Sequence, residues 1–205
     1  MVAVDISTRS HSRLIGWIVP SLIAVLALLV RLWNLSSPKA LMFDETYYAK
    51  DAWSLLLFGY SRDAVEGANE RIIAGDLNDL FTNEPSWVVH PDGGKWMIAS
   101  GIEMFGMNPV GWRFAVAVAG ALMVLVLGRL VLRLTGSVTF ASLAALLLAI
   151  DGVHLVMSRI ALLDMFLALW LLCMVACLAA DRDWLKARLD SGRDVPWLRG
   201  WQIAA

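Results

Sequence analysis

Asp44 and Glu45 are adjacent carboxylates set among large apolar side chains in the segment Leu41–Tyr48. Partial desolvation raises a carboxylate's pKa, and two neighbouring acids push their values apart, which suits a general base acting near neutral pH. A second reading fits the same spacing: Asp44 caps a following helix and Glu45 favours its dipole. Further along, His90-Pro-Asp-Gly-Gly-Lys95 is a turn entering a helix. A helix N-terminus beside a lysine can receive an anion, and a plain turn is the alternative. The glycine spacing of a P-loop is missing. Arg113, Asp151, His154, Arg159 and Asp164 stand at the ends of apolar runs. They are either parts of one site or interfacial charges, with Arg159 and Asp164 pairing to order a tight turn. No cluster has metal-ligand spacing. Cys173 and Cys177 lie four apart in an apolar run, a poor disulfide geometry, and read as small hydrophobes.

The elements that must position these groups are membrane helices. The chain has 205 residues, 59% hydrophobic and 17% charged, with a mean hydropathy of +0.66. Its apolar residues fall in long runs, which an ordinary soluble domain does not show. A net charge of −1 gives no global field and no reason to expect a nucleic-acid partner. Trp17, Trp33, Trp112 and Trp184 lie near run ends, where an interfacial aromatic belt places them. Four spans are predicted, at about 14–33, 110–134, 138–157 and 160–180, each near the ~20 residues that cross ~30 Å of hydrocarbon. The first follows Arg9 and Arg13, lacks a clean cleavage site, and reads as an uncleaved anchor that Pro20 can kink.

Basic residues set the orientation. Arg9 and Arg13 precede span one, Arg129 and Arg133 close span two, and Arg182, Lys186, Arg188, Arg193 and Arg199 follow span four. With four spans all three groups fall on one side, the cytoplasmic one. The tail 181–205 is then cytoplasmic, as is the N-terminus. The loop 35–109 is extracytoplasmic and carries eleven acidic against five basic residues, a net of −6. Asp44, Glu45, Arg113, Asp151, His154, Arg159 and Asp164 all reach that outer face. Within the loop, Tyr48, Ala52, Leu55 and Leu56 share one helical face over 45–58, and Ile98, Ile102 and Phe105 another over 95–107. Both read as amphipathic helices at the membrane surface. Ser61–Trp87 between them is polar and reads either as irregular or as a stretch ordered by the rest of the protein. The closing segment Trp197–Ala205 reads as the approach to another span, so the chain is expected to be the N-terminal part of one longer transmembrane domain.

The wording of these segments resembles a known family. Phe43-Asp-Glu-Thr-Tyr-Tyr-Ala-Lys50 follows the first span, Val89-His-Pro and Gly94-Lys-Trp96 end the loop, and Gly111-Trp-Arg113 opens span two. The most specific stretch is Asp151-Gly-Val-His-Leu-Val-Met-Ser-Arg-Ile-Ala-Leu-Leu-Asp164. Over roughly residues 13–205 the chain is similar to the protein O-mannosyltransferases in their actinobacterial form. The resemblance implies an all-α, multi-pass bundle of the C-type membrane glycosyltransferase fold, whose first exported loop bears the catalytic acid. It implies transfer of mannose from polyprenyl-phosphate-mannose to Ser or Thr of exported proteins at the cell membrane, with the translocation machinery a further expected partner. No metal or other cofactor is implied.

Carried over by motif, Asp44 is the base for the acceptor hydroxyl and Glu45 helps to place acceptor or sugar. Arg113 is a candidate for the carrier phosphate. His90 and Lys95 match a His-Pro…Gly-Lys motif, and Arg159 and Asp164 are expected substrate-binding groups. Inversion at the anomeric carbon needs base and leaving group on opposite faces of the sugar, as in inverting glycosidases. Two departures bear on the turn: the family usually reads His-Pro-Pro-Leu-Gly-Lys, and an acid often found just before it is Val88 here. Family members are longer, with about eleven spans, so these 205 residues alone are expected to be inactive. The competing functions are another polyprenyl-phosphate-sugar transferase with a lipid or glycan acceptor, and a non-catalytic transporter or assembly subunit. The transporter needs polar groups at the bilayer midplane, where these runs are apolar.

Overall fold

The computed structural model describes residues 6–87 and 89–205, with side-chain surroundings given from Leu14 onward. The side chains of Arg9, His11 and Arg13, and all of Val88, lie outside the described residues. The order is α1 (Ile6–Leu32), α2 (Glu45–Phe58), β1 (Arg62–Ala64), α3 (Ala68–Ala74), β2 (Phe81–Pro85), α4 (Gly93–Phe105), α5 (Pro109–Thr135), α6 (Val138–Ile150), α7 (Gly152–Met157), α8 (Leu163–Asp190) and α9 (Gly200–Ala204). The fold is all-α apart from one small antiparallel ribbon of β1 and β2.

Among the described residues, three helices are long and apolar enough to cross a membrane: Leu14–Leu32, Pro109–Thr135 and Leu163–Asp190. They correspond to predicted spans one, two and four, and α1 runs unbroken through Pro20. The predicted third span differs. Its helix α6 has 13 residues, about 20 Å at 1.5 Å per residue, short of the ~30 Å of hydrocarbon. The chain breaks at Asp151, where ψ is 123°, and restarts as the six-residue α7. Asp followed by Gly is a poor helix pair, because Asp competes for backbone hydrogen bonds and Gly loses the most backbone entropy. A hydropathy window reads across this break.

The chain divides into two compact units. One is Met1–Ala27, Ala121–Asp151 and Ala168–Ala205. Small side chains pack it: Ala24, Ala27, Val124 and Ala145 are buried together. A Cβ at Gly128 would stand 3.1 Å from Pro20 and 3.2 Å from Ala145, the close backbone approach that small residues permit between membrane helices. Ion pairs Arg133–Asp183 and Arg199–Asp181 join its basic residues to nearby acids.

The other unit is Leu28–Gly120 and Gly152–Leu167. Here α2 and α4 pack on one another, burying Tyr48, Ala52 and Leu55 from one and Ile98, Ala99 and Ile102 from the other. Of the two predicted apolar faces, Leu56 is half-buried. Phe105 is exposed, resting on Phe114 at 4.7 Å between ring centroids. A Cβ at Gly101 would meet the Gly111 carbonyl oxygen at 2.4 Å, so glycine lets α4 lie against the start of α5.

The stretch 61–87 is ordered rather than irregular. β1 and β2 pair with Arg62 opposite Pro85 and Ala64 opposite Phe81, a register broken by a bulge. Ser54 Oγ donates to the Tyr60 carbonyl and accepts from the Arg62 amide. The Arg62 guanidinium lies 3.8 Å over the Phe58 ring. Arg71 fastens the turn after α3 through Asp76 and the Asn78 carbonyl. Such local side-chain-to-backbone bonds carry no hydrophobic period, which is why the pattern missed them.

Candidate active site

The site is built on the end of α1, the loop to α2, the first turns of α2, α4 and α5, and the turn from α7 to α8. Glu45 and Arg113 form its buried base, at 0% and 1% exposure. Arg113 Nε donates to Glu45 Oε1 and Nη2 to Oε2, both at 2.7 Å, the bidentate fork that guanidinium and carboxylate favour. Arg113 Nη1 donates to the Leu35 and Pro38 carbonyls, and Nη2 donates also to Ala40. A guanidinium has five N–H donors, and all five are engaged. Glu45 in turn accepts the Met42 amide at 2.8 Å and the Ala161 amide at 2.9 Å. One ion pair therefore shapes the 35–42 loop and pins the α7–α8 turn against it.

Two further arginines work at the end of α1. Arg159 Nη1 donates to the carbonyls of Val30, Arg31 and Trp33, and Nη2 to Asn34. Val30 and Arg31 are in the last turn of the helix, whose carbonyls lack intrahelical donors, and a cation there also meets the negative end of the dipole. The guanidinium is thus directed at α1, and the Arg159–Asp164 turn pair anticipated from spacing is not what orders the turn. Arg31 reaches the opposite way. Fully buried, it donates from Nε to Ser158 Oγ and from Nη2 to His154 Nδ1, each at 2.8 Å. Gly120 makes room for this, since a Cβ there would stand 2.5 Å from the Ser158 Cβ and 3.0 Å from Arg31 Nε. Arg31 was absent from the sequence reading. Its signal was available: an arginine inside a run apolar enough to span.

Asp44, one residue before Glu45, points elsewhere. It sits at the N-cap of α2 with no side-chain capping bond, so the helix-cap reading is not realised. It lines a pocket of about 280 Å³ with Tyr48, Asp51, His90 and Lys95, walled by Tyr47 and Trp87. Lys95 is buried, its Nζ 2.9 Å from Asp51 and 3.3 Å from Asp92. His90 is exposed and meets the Tyr48 ring edge-on at 5.9 Å. Burial pushes the Tyr48 phenol above its ordinary range, and the nearby carboxylates of Asp44, Asp164 and Asp51 push it further. Asp164, exposed in the first turn of α8, is thereby placed near the same phenol. Asp51 was also missed, although positions 44, 48 and 51 share one helical face.

Of the predicted site residues, Asp44, His90 and Lys95 share the pocket, Asp164 adjoins it through Tyr48, Glu45 and Arg113 lie in the buried base, and Arg159 is at the end of α1. Among the described residues, no group of three or more His, Cys, Asp or Glu is placed to hold a metal.

Membrane-length apolar helices, with a polar pocket and buried ion pair where several helix ends meet, define a multi-pass helical membrane protein. The chain belongs to the dolichyl-phosphate-mannose-protein mannosyltransferase family, which matches residues 21–189. It is 37% identical over 179 residues to the polyprenol-phosphate-mannose–protein mannosyltransferase of Mycolicibacterium smegmatis, covering 85% of this chain and 31% of that protein. The same-named Corynebacterium glutamicum protein is 34% identical over 175 residues, 83% of this chain and 31% of its own. Protein O-mannosyl-transferase 1 of Rattus norvegicus is 32% identical over 148 residues, 71% of this chain and 18% of its own. The chain thus spans about a third of the length of its curated bacterial relatives. No solved structure matches it significantly.

Proposed function

We propose that this chain supplies the acceptor-activating part of an enzyme that moves mannose from polyprenyl-phosphate-mannose to Ser or Thr hydroxyls of exported proteins. The observation that carries this reading is the divergence of the two adjacent acids. Glu45 is saturated by four donors, while Asp44 lines the pocket. Asp44 is the base. Its carboxylate takes the acceptor's hydroxyl proton as that oxygen forms a bond to the anomeric carbon. The bond from that carbon to the carrier phosphate oxygen breaks on the opposite face, and polyprenyl phosphate leaves with the electron pair. The sugar is inverted, as two-face geometry requires.

In this reading Glu45 and Arg113 are positioning residues. With its N–H groups engaged by Glu45 and three carbonyls, Arg113 sets the loop that presents Asp44 and is not the phosphate ligand. His90 and Asp164 contact the sugar or acceptor at the pocket mouth. Lys95 holds Asp51 in place and lends positive charge to the pocket. Arg159 supports the site through α1.

Counting the broken stretch 138–157 as one crossing, the charge bias argues for a cell-membrane protein with its N-terminus and residues 181–205 in the cytoplasm, and with residues 35–109 outside, near the translocation machinery. Glu66 is exposed, and Glu66→Cys serves as a topology probe. Labelling by an impermeant reagent from outside is expected, and labelling only from the cytoplasm overturns the orientation. The function is tested by Asp44→Asn in the protein that carries this chain. Mannose transfer from polyprenyl-phosphate-mannose to a Ser/Thr peptide should be lost while membrane insertion persists. Undiminished transfer overturns the assignment.

A further inference from the structure

The unit containing Ala121–Asp151 and Ala168–Ala205 holds a second pocket, of about 390 Å³, in which almost nothing is polar. Trp17, Leu125, Ala176 and Trp201 are among its walls, and Arg129 and Arg133 are its charged lining. Arg129 is half-buried. Its guanidinium stacks 3.7 Å over Trp17, and Nη1 donates to the Gly16 carbonyl at 2.6 Å. The acids nearest in sequence to the rim leave Arg129 aside: Asp183 pairs with Arg133 of the rim and with Arg182, and Asp181 pairs with Arg199. Among the described residues, no ion pair joins Arg129 to a carboxylate.

We propose that this pocket binds one anionic phospholipid, its phosphodiester on Arg129 with Arg133 beside it and an acyl chain along the apolar wall. A guanidinium fixed by stacking presents its remaining donors as a preformed fork, and that fork matches a phosphate better than an ammonium does. Basic pockets between membrane helices are where anionic head groups are held. The two tryptophans are the side chains that favour head-group depth. A free phosphate gains nothing from the apolar walls, and a neutral lipid gains nothing from the cations. The combination selects a molecule with both parts. This inference is independent of the Asp44 chemistry and rests only on the helices being in a bilayer.

The test uses the whole protein, purified in detergent and titrated with mixed micelles containing phosphatidylglycerol or phosphatidylcholine. Thermal unfolding and native mass spectrometry are read together. Phosphatidylglycerol should raise Tm and remain bound at one molecule per chain, and phosphatidylcholine should do neither. Arg129→Gln should abolish both effects, and Arg133→Gln should reduce them. Ala176→Trp keeps both arginines and fills the pocket; it should also release the lipid, and it decides the matter if Arg129→Gln fails to fold. Equal responses to the two lipids, a phosphatidylglycerol response matched by inorganic phosphate, or retention of lipid by Ala176→Trp overturns the proposal.

Discussion

Asp44 and Glu45 are one peptide bond apart and occupy two different kinds of place. Glu45 is fully buried, and its four accepting positions are taken by Arg113, Met42 and Ala161. Asp44 faces a pocket and has Tyr48, Asp51 and Lys95 as neighbours. The difference follows from the start of a helix, where consecutive side chains leave at about 100° to one another. One acid therefore goes into the packed base and the next lower one to the pocket. An acidic pair in sequence is not one functional unit. A carboxylate with every acceptor position filled cannot take a substrate's proton, and one facing a pocket adds little to holding a fold together.

The sharpest way to break this comparison is to neutralise each acid separately. Asp44→Asn should lower mannose transfer by about 10²- to 10⁴-fold, the range of a positioned general base, with an unchanged unfolding temperature. Glu45→Gln should do the reverse, because uncoupling one member of a buried ion pair typically costs about 3–5 kcal/mol of stability. Its loss should appear in denaturant unfolding of the purified protein before any kinetic measurement is possible. If Asp44→Asn unfolds the protein while Glu45→Gln only slows it, the two roles are exchanged.

A smaller effect tests the frame behind the pair. Gly120→Ala pushes a methyl group into Ser158 and Arg31, and overpacking of this kind costs about 1–3 kcal/mol. Unfolding should show it, and Ser158→Gly in the same chain should return part of it. The smallest effect sharpens the pocket side. The Tyr48 phenol titrates above its ordinary value of 10.0 in the folded protein. The folded state therefore holds that proton more tightly than the unfolded one. The associated stability is present below pH 10 and is lost as pH rises from there through the folded value. Thermal unfolding between pH 9 and 11 should show this decline, and Tyr48→Phe should flatten it.

Much of this was legible from residue types. Long apolar runs are read from length and composition, and three of four predicted spans match membrane-length helices. The buried faces of α2 and α4 follow from a 3.6-residue period at Tyr48, Ala52, Leu55, Ile98 and Ile102. Shared depth at the ends of the apolar runs placed these charges together, and Glu45, Arg113 and the 159–161 turn do meet. What remained hidden depends on partners distant in the chain. Nothing in the spacing tells that Arg113 uses every donor on Glu45 and three carbonyls, or that Arg31 reaches Ser158 across 127 positions. The Asp151 break and the β1–β2 ribbon were missed because averaging over a window erases single-residue events.

The carbonyls at the end of α1 have a consequence for how the protein is made. Arg159, which satisfies Val30, Arg31, Trp33 and Asn34, is 125 residues beyond the last of these. At roughly 5–20 residues per second of synthesis, that donor leaves the ribosome about 6–25 s after its acceptors. Through that interval the first helix stands in the membrane with an unfinished end, and its own Arg31 waits equally long for Ser158. The tip of α1 and the loop it launches therefore take final form only after α5, α6 and α7 have been threaded. Asp44 is translated early and set in place late.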